Sequence, residues 1–234
     1  MITGKIVHTH SYKTAEGYHD KSVVVVGTGN SGVDACVELA PVAKQVYLAA
    51  RRGVWLRGRV GRAGRPVDRQ LSTAAVHWIG STLPAKITNY AFETYTNYAV
   101  CDHELFGLRP AHPYTTQHPT INDALPNMIL SGRVQVKKNI KEFTEKGVIF
   151  EGTSTEVPVD VVVLATGYQM SLPFLDQSII SHSQNNVTLF KNMFNPKLSH
   201  PQTLAMIGLV QPLGPVHTTA GKNSRLILLL TITF

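Results

Sequence analysis

Residues 22–32 read SVVVVGTGNSG. Four successive valines, Val23 to Val26, form a short β-branched apolar run that stops at Gly27, Gly29 and Gly32, glycines in the spacing GxGxxG. A run that is apolar at every position fits a strand covered on both faces, the habit of a parallel sheet. The glycines then predict a tight turn into a helix whose unpaired N–H groups and positive dipole end face the strand end. The pyrophosphate of a dinucleotide binds at such a helix start. In this reading Gly27 makes the turn, Gly29 lets the backbone approach the phosphates, and Gly32 lets the helix lie close to the sheet. GxGxxG alone is a weak signal, and a glycine turn in an unrelated α/β domain is the competing reading. The valine run before it favours the dinucleotide.

Downstream the pattern continues as βαβ. From Ser31, SGVDACVELA places Val33, Cys36, Val37 and Ala40 on one face at helical spacing, with Asp34 and Glu38 outside, and Pro41 ends the helix. QVYLAA at 45–50 reads as the second strand. A site specific for the unphosphorylated nicotinamide cofactor carries Asp or Glu at the end of that strand. Here the position holds Arg51 and Arg52. A guanidinium meets a 2′-phosphate with paired, charge-assisted hydrogen bonds, so NADPH is expected over NADH. The competing reading is that one or both arginines are simply solvated.

Composition bounds the remainder. The 234 residues suffice for one large domain, or one domain and part of another. Lys and Arg number 22 against 15 Asp and Glu, a formal charge of +7, but the basic residues are dispersed. No nucleic-acid-binding motif accompanies them, so no nucleic-acid partner is expected, and polyanionic cofactor binding accounts for part of the charge. Cys36 and Cys101 lack CxxC spacing and suit a reducing compartment. No apolar stretch reaches the length of a transmembrane helix, and residue 1 does not open a signal peptide.

On either side of the motif the reading is coarser. Residues 1–20 form an approach segment in which Ile6, Val7, Tyr12 and Tyr18 are packing candidates. His8, His10 and His19 are read as loop histidines, not metal ligands. Residues 53–131 interrupt the sheet pattern with a Gly- and Arg-rich stretch, helical segments at 71–79 and 85–103, and a proline-rich connection from 107 to 126. That connection is either a functional loop or an ordered surface wrap. Strands resume at 133–138, with 140–143 read as continuing them and 145–147 turning into 148–150. A second buried run, Val161 to Leu164, ends in Ala165, Thr166 and Gly167, small residues expected to lie against a cofactor at the carboxyl end of the sheet. Pro173, Phe174 and Leu175 are read as packing residues, and 203–209 as a last strand.

These motifs together resemble the flavin-containing monooxygenases of the microsomal type, also called dimethylaniline monooxygenases. The family signature FxGxxxHxxxY corresponds to Ile2, Gly4, His8 and Tyr12, with Ile2 replacing the aromatic residue. GxGNSG corresponds to Gly27, Gly29, Asn30, Ser31 and Gly32, the arginine pair to Arg51 and Arg52, and ATGY to Ala165, Thr166, Gly167 and Tyr168. DHELFGL at 102–108, QHPTINDALPN at 117–127 and IGLVQPLGP at 207–215 also resemble members, so the similarity runs from about residue 2 to residue 215.

The resemblance implies an α/β fold. A Rossmann-like, doubly wound NADPH-binding domain is expected at 21–159 after a lead-in at 1–20, with a partial return to a FAD-binding domain at 160–215 and a divergent apolar tail at 216–234. It implies NADPH and FAD as cofactors, Thr166 and Gly167 as backbone contacts near FAD, and Asn30 as a contact near the nicotinamide. Ser31 is assigned to an amide or phosphate partner, and no side chain is nominated as a catalytic acid, base or nucleophile. The implied reaction inserts one oxygen atom of O₂ into soft nucleophiles, tertiary amines and sulfides, through a C4a-hydroperoxyflavin.

Departures from the family temper this. Members begin with a separate FAD-binding glycine motif that these residues lack, and the pattern fails after Pro215. The apolar end, Leu226 to Phe234, is nine residues long. At about 1.5 Å per residue a helix of that length cannot cross a hydrocarbon core of about 30 Å. Members sit in the endoplasmic-reticulum membrane, whereas this sequence reads as a truncated form that is cytoplasmic or peripheral, with LILLL at 226–230 as a sticky patch. Two other readings stay open: a catalytically inactive NADPH-binding or partner-modulating fragment, and another NADPH-dependent flavoprotein such as a disulfide reductase, whose cysteine pair is missing. Truncation would also leave the apolar faces of 161–164 and 204–207 exposed.

Overall fold

The computed structural model describes residues 4–71, 73–169, 173, 175–176 and 189–207. Ile2, Phe174 and the tail 216–234 with its LILLL lie outside the described residues, as does all of 207–215 except Ile207. The chain divides into two units, Met1–Thr166 and Gly167–Phe234.

The valine run forms β2 (Ser22–Val26), the middle strand of a five-stranded parallel sheet. Its partners are β10 (Val161–Leu164) on one side and β3 (Gln45–Ala49) on the other. Outside these lie β1 (Lys5–His8) and β6 (Val134–Lys137), giving the order β1-β10-β2-β3-β6. Strands of this sheet thus come from the segments 1–20, 21–159 and 160–215 alike.

Alternation along β2 sends its valines to two different cores. Val23 and Val25, with Val46, Leu48, Val161 and Val163, pack with Val33, Cys36 and Leu39 of helix α1 (Asn30–Leu39). Leu125 of helix α5 (Leu125–Leu130) joins that cluster. Val24, Ala49 and Val162 face the other way, onto Val148 and Phe150. Fully burying one valine contributes about 1.5–3 kcal/mol, and Val23, Val24 and Val25 are all 0% exposed, so cover on both faces stabilises the centre of the sheet.

The second cover differs from the expectation. A doubly wound domain has helices on both faces, but here the face with Val24 and Val162 is covered by an antiparallel three-stranded sheet. That sheet comprises β7 (Ile140–Phe143), β8 (Gly147–Phe150) and β9 (Glu156–Pro158). Consequently 140–143 does not continue β6; it leaves the parallel sheet and pairs antiparallel with β8, around the turn expected at 145–147. The predicted exposure of 161–164 is also corrected. Val161, Val162 and Val163 are 5%, 0% and 0% exposed, because β1 and β2 flank β10 and both faces are covered.

The insertion is ordered. Up to residue 103 its described residues contain β4 (Leu56–Arg57), α2 (Val67–Leu71), α3 (Ala74–Thr82) and α4 (Ala85–Ala99), three helices where two were expected, and α5 follows near its end. Thr73 caps α3 by accepting from Val76 N at 3.3 Å, and Pro84 precedes α4. Helix α4 ends at Ala99 and not at His103. The proline-rich connection is the ordered wrap: it adds the short strand β5 (Thr120–Ile121), parallel to β4, and Trp55 Nε1 donates to His112 O at 3.1 Å.

In the second unit Phe194 forms isolated bridges with Phe190 and Ala205. The described part of the stretch read as a last strand therefore holds a single bridge beside a 3-10 turn at Pro201–Thr203. Of the stretch expected to be exposed at 204–207, Ile207 is 49% exposed, whereas Leu204, Ala205 and Met206 are half-buried.

Candidate functional site

At the carboxyl end of β2 two of the three glycines are required by the backbone and the third is not. Gly27 has φ +115°, and a Cβ there would meet Ala165 O at 2.5 Å. At Gly32 a Cβ would meet Gly27 O at 2.2 Å and the Ala165 Cβ at 3.0 Å, so only glycine lets α1 rest on the strand ends. Gly29 has neither constraint. Its φ of −71° and ψ of 173° suit any residue, and a Cβ there would meet no atom of the described residues within 4 Å beyond its chain neighbours. Gly29 is exposed, and the space above it, a cradle open to solvent, would admit a side chain, so its lack of one has no cause in packing among the described residues.

Helix α1 starts at this cradle. Gly29 O accepts from Gly32 N and Val33 N, both at 3.0 Å, whereas no described residue accepts from the N–H of Asn30 or Ser31. Its first turn carries no acidic side chain to compete for the positive helix end. Donor set and cradle therefore fit the pyrophosphate of one dinucleotide.

Arg51 and Arg52 follow the end of β3, which is held to β6 by the bond from Ala50 N to Lys137 O at 2.8 Å. Both arginines are exposed, and no described residue pairs with either guanidinium. The backbone then turns at Gly53, φ +66°, where a Cβ would come 2.5 Å from Arg109 O. Val54 N donates to Leu108 O at 2.7 Å. The two cations are thus fixed at the carboxyl edge, one strand over from the glycine loop.

Ala165 N donates to Val26 O at 2.8 Å, and Ala165 is the residue that crowds Gly27 and Gly32. The small-residue end of β10 accordingly packs on the glycine loop. Thr166, last of the first unit, is exposed; Gly167, first of the second, is exposed with φ +85°.

Sequence reasoning missed two parts of the site. The segment 120–122 reaches back to the loop: Thr120 Oγ1 donates to Thr28 O at 2.6 Å, and Ile121 N donates to Asn30 Oδ1 at 2.8 Å. Asn122 Nδ2 donates to Asp34 Oδ1 at 2.9 Å, while its Oδ1 accepts from Ala124 N and Leu125 N at 2.9 and 2.8 Å. The side-chain carbonyl of Asn30 is thus occupied by the protein itself. An Asn just before a helix was the available signal, as a capping residue.

His103 is the second. It is fully buried, its Nε2 accepts from Leu56 N at 2.9 Å, and its Nδ1 therefore carries the proton that is shared with Asn97 Oδ1 at 2.7 Å. Burial, with Arg109 adding to it, holds this imidazole below its ordinary value and keeps it neutral. Trp55 lies 5.0 Å from the ring, with the Arg109 guanidinium 4.9 Å from the Trp55 centroid. His103 thereby ties α4 to β4, the strand that carries β5 and its loop contacts. Both cysteines are buried, which pushes the Cys36 thiol up and, beside Asp102, pushes Cys101 up to about 11, away from the thiolate form that reactive cysteines use.

With this geometry in view, the family model described as flavin-binding monooxygenase-like matches residues 1–230. Flavin-containing monooxygenase 5 of Rattus norvegicus is 47% identical over 213 residues, 91% of this chain and 39% of its own length. The protein of that name from Homo sapiens is 46% identical over 213 residues, again 39% of its length. The chain thus spans about two fifths of the curated relatives it matches. An oxidized steroid monooxygenase bound to NADP superposes with a TM-score of 0.54 at 19% identity, covering 72% of this chain and 42% of that one. Cyclohexanone monooxygenase from Rhodococcus sp. Phi1 bound to NADP+ gives 0.53 at 20%, covering 72% and 42%. At such identities these likenesses speak for the fold alone.

Proposed function

The chain belongs to the flavin-binding monooxygenase-like family, and from that premise we propose that it is the NADPH-holding part of an NADPH- and FAD-dependent monooxygenase acting on soft nucleophiles such as tertiary amines and sulfides. The observation that carries this reading is the start of α1, where no described residue accepts from the N–H of Asn30 or Ser31 and the space above Gly29 is open. In the proposed complex the N–H groups of Asn30 and Ser31 hold the pyrophosphate, Gly27 and Gly32 fix the loop, and Arg51 and Arg52 receive the 2′-phosphate. NADPH supplies hydride when bound. Thr166 and Gly167 are assigned by resemblance to backbone contacts near FAD, where O₂ and substrate would meet in the whole protein.

As a polypeptide of these 234 residues, the chain is proposed to bind NADPH without oxygenating substrate by itself, since it carries one GxGxxG. Oxygenation needs a flavin held against the nicotinamide and shielded from water. The proposed setting of the whole protein is the endoplasmic-reticulum membrane. Among the described residues no helix is long and apolar enough to cross a membrane. The test is NADPH-dependent conversion of a tertiary amine or sulfide to its oxide by homogeneous, FAD-supplemented protein, with NADPH binding measured alongside. Binding without product is expected; turnover matched to bound flavin would overturn the claim of inactivity, and loss of NADPH binding would overturn the cofactor assignment.

A further inference from the structure

Resting on the dinucleotide reading above, we infer that Thr120 and Asn122 are positioning residues for NADPH: a segment some ninety positions downstream sets the shape of the pyrophosphate loop and thereby its affinity. Residues 27–29 between β2 and α1 belong to neither element, so the angle at which they lead into α1, and with it the aim of the Asn30 and Ser31 amides, depends on what fixes their carbonyls and flanks. Three consecutive residues do so. Thr120, 3% exposed, donates its hydroxyl to Thr28 O; Ile121 N holds the side chain of Asn30; Asn122, 7% exposed, holds Asp34 one turn into α1. Buried groups of this kind are costly to leave unpaired, so the loop and the segment constrain each other.

Asn122 uses both ends of its amide. The carbonyl receives the amides of Ala124, just before α5, and of Leu125, its first residue, and the NH₂ reaches Asp34. The segment is itself held by β4 through Thr120 N to Trp55 O at 2.8 Å and Asn122 N to Arg57 O at 3.0 Å. None of these three residues is needed to contact the cofactor. They aim the groups that do.

The experiment is calorimetric titration of the 234-residue chain with NADPH and, separately, with 2′-AMP, which carries the 2′-phosphate but no pyrophosphate. Thr120→Val removes the hydroxyl at constant shape and should weaken NADPH roughly five-fold while leaving 2′-AMP unchanged; Thr120→Ser should restore NADPH. Asn122→Asp keeps an acceptor for α5 but sets a carboxylate against Asp34, and should weaken NADPH likewise. Combining it with Asp34→Asn exchanges donor and acceptor and should recover binding, which a general loss of packing would not. NADPH binding unchanged in both Thr120→Val and Asn122→Asp, or equal losses for NADPH and 2′-AMP, overturns the inference. Should Thr120→Val fail to fold, the Asn122→Asp and exchange variants decide it. Failure of the unaltered chain to bind NADPH overturns the dinucleotide reading and this inference with it.

Discussion

A methyl group on Gly32 would stand 2.2 Å from the carbonyl oxygen of Gly27, so the first turn of α1 and the turn that precedes it exclude a side chain between them. Real contacts of this type cannot persist, and the helix would have to lift from the strand ends. Gly32→Ala should therefore lower stability by about 3 kcal/mol, read as a shift of the urea midpoint at constant slope. An unchanged midpoint would show that α1 does not rest on the loop.

Arg51 and Arg52 should discriminate between cofactors. Replacing both with Ala removes charge-assisted contacts to the 2′-phosphate and should weaken NADPH roughly ten-fold or more, with NADH little changed. Because both side chains are exposed, stability should not move. Equal losses for NADPH and NADH in parallel titrations would remove the arginines from the 2′-phosphate site.

His103 should make stability depend on pH. Its imidazole is held neutral, so once the pH falls below the ordinary value of 6.5 the unfolded chain binds a proton that the native site refuses. The unfolded state then binds more protons, and stability falls as pH falls. Acidification also sets an Nε2–H against the N–H of Leu56. Urea midpoints measured from about pH 8 to about pH 5.5 should decline more steeply for the natural chain than for His103→Gln. Parallel profiles would sink the assignment.

The sheet was legible where chemistry is local. Val23 to Val26, the three glycines and the Arg51–Arg52 pair all lie within one βαβ stretch, and periodicity with glycine spacing locates them. What covers the second face was not legible, because Val148 and Phe150 are more than 120 positions from Val24, and an apolar run does not say whether a helix or a sheet lies over it. Truncation arguments failed at Val161 to Val163 for the same reason: β1, read as a lead-in, supplies the missing edge partner. Thr120, Asn122 and His103 escaped notice because polar residues in a Pro-rich or turn-rich stretch look solvated. Only the fold shows them buried and bonded.

Gly29 carries the central claim, since its missing side chain has no structural cause among the described residues. Thr ranks with Gly as a helix N-cap, and the backbone angles at Gly29 suit it. The decisive measurement is NADPH titration of the natural chain and of Gly29→Thr, with urea unfolding of both. A dinucleotide cradle predicts stoichiometric NADPH binding by the natural chain and stability of the variant within about 0.5 kcal/mol. The variant should bind NADPH at least roughly ten-fold more weakly, because its side chain occupies the path of the phosphates. Equal NADPH affinity in the two proteins would contradict the account.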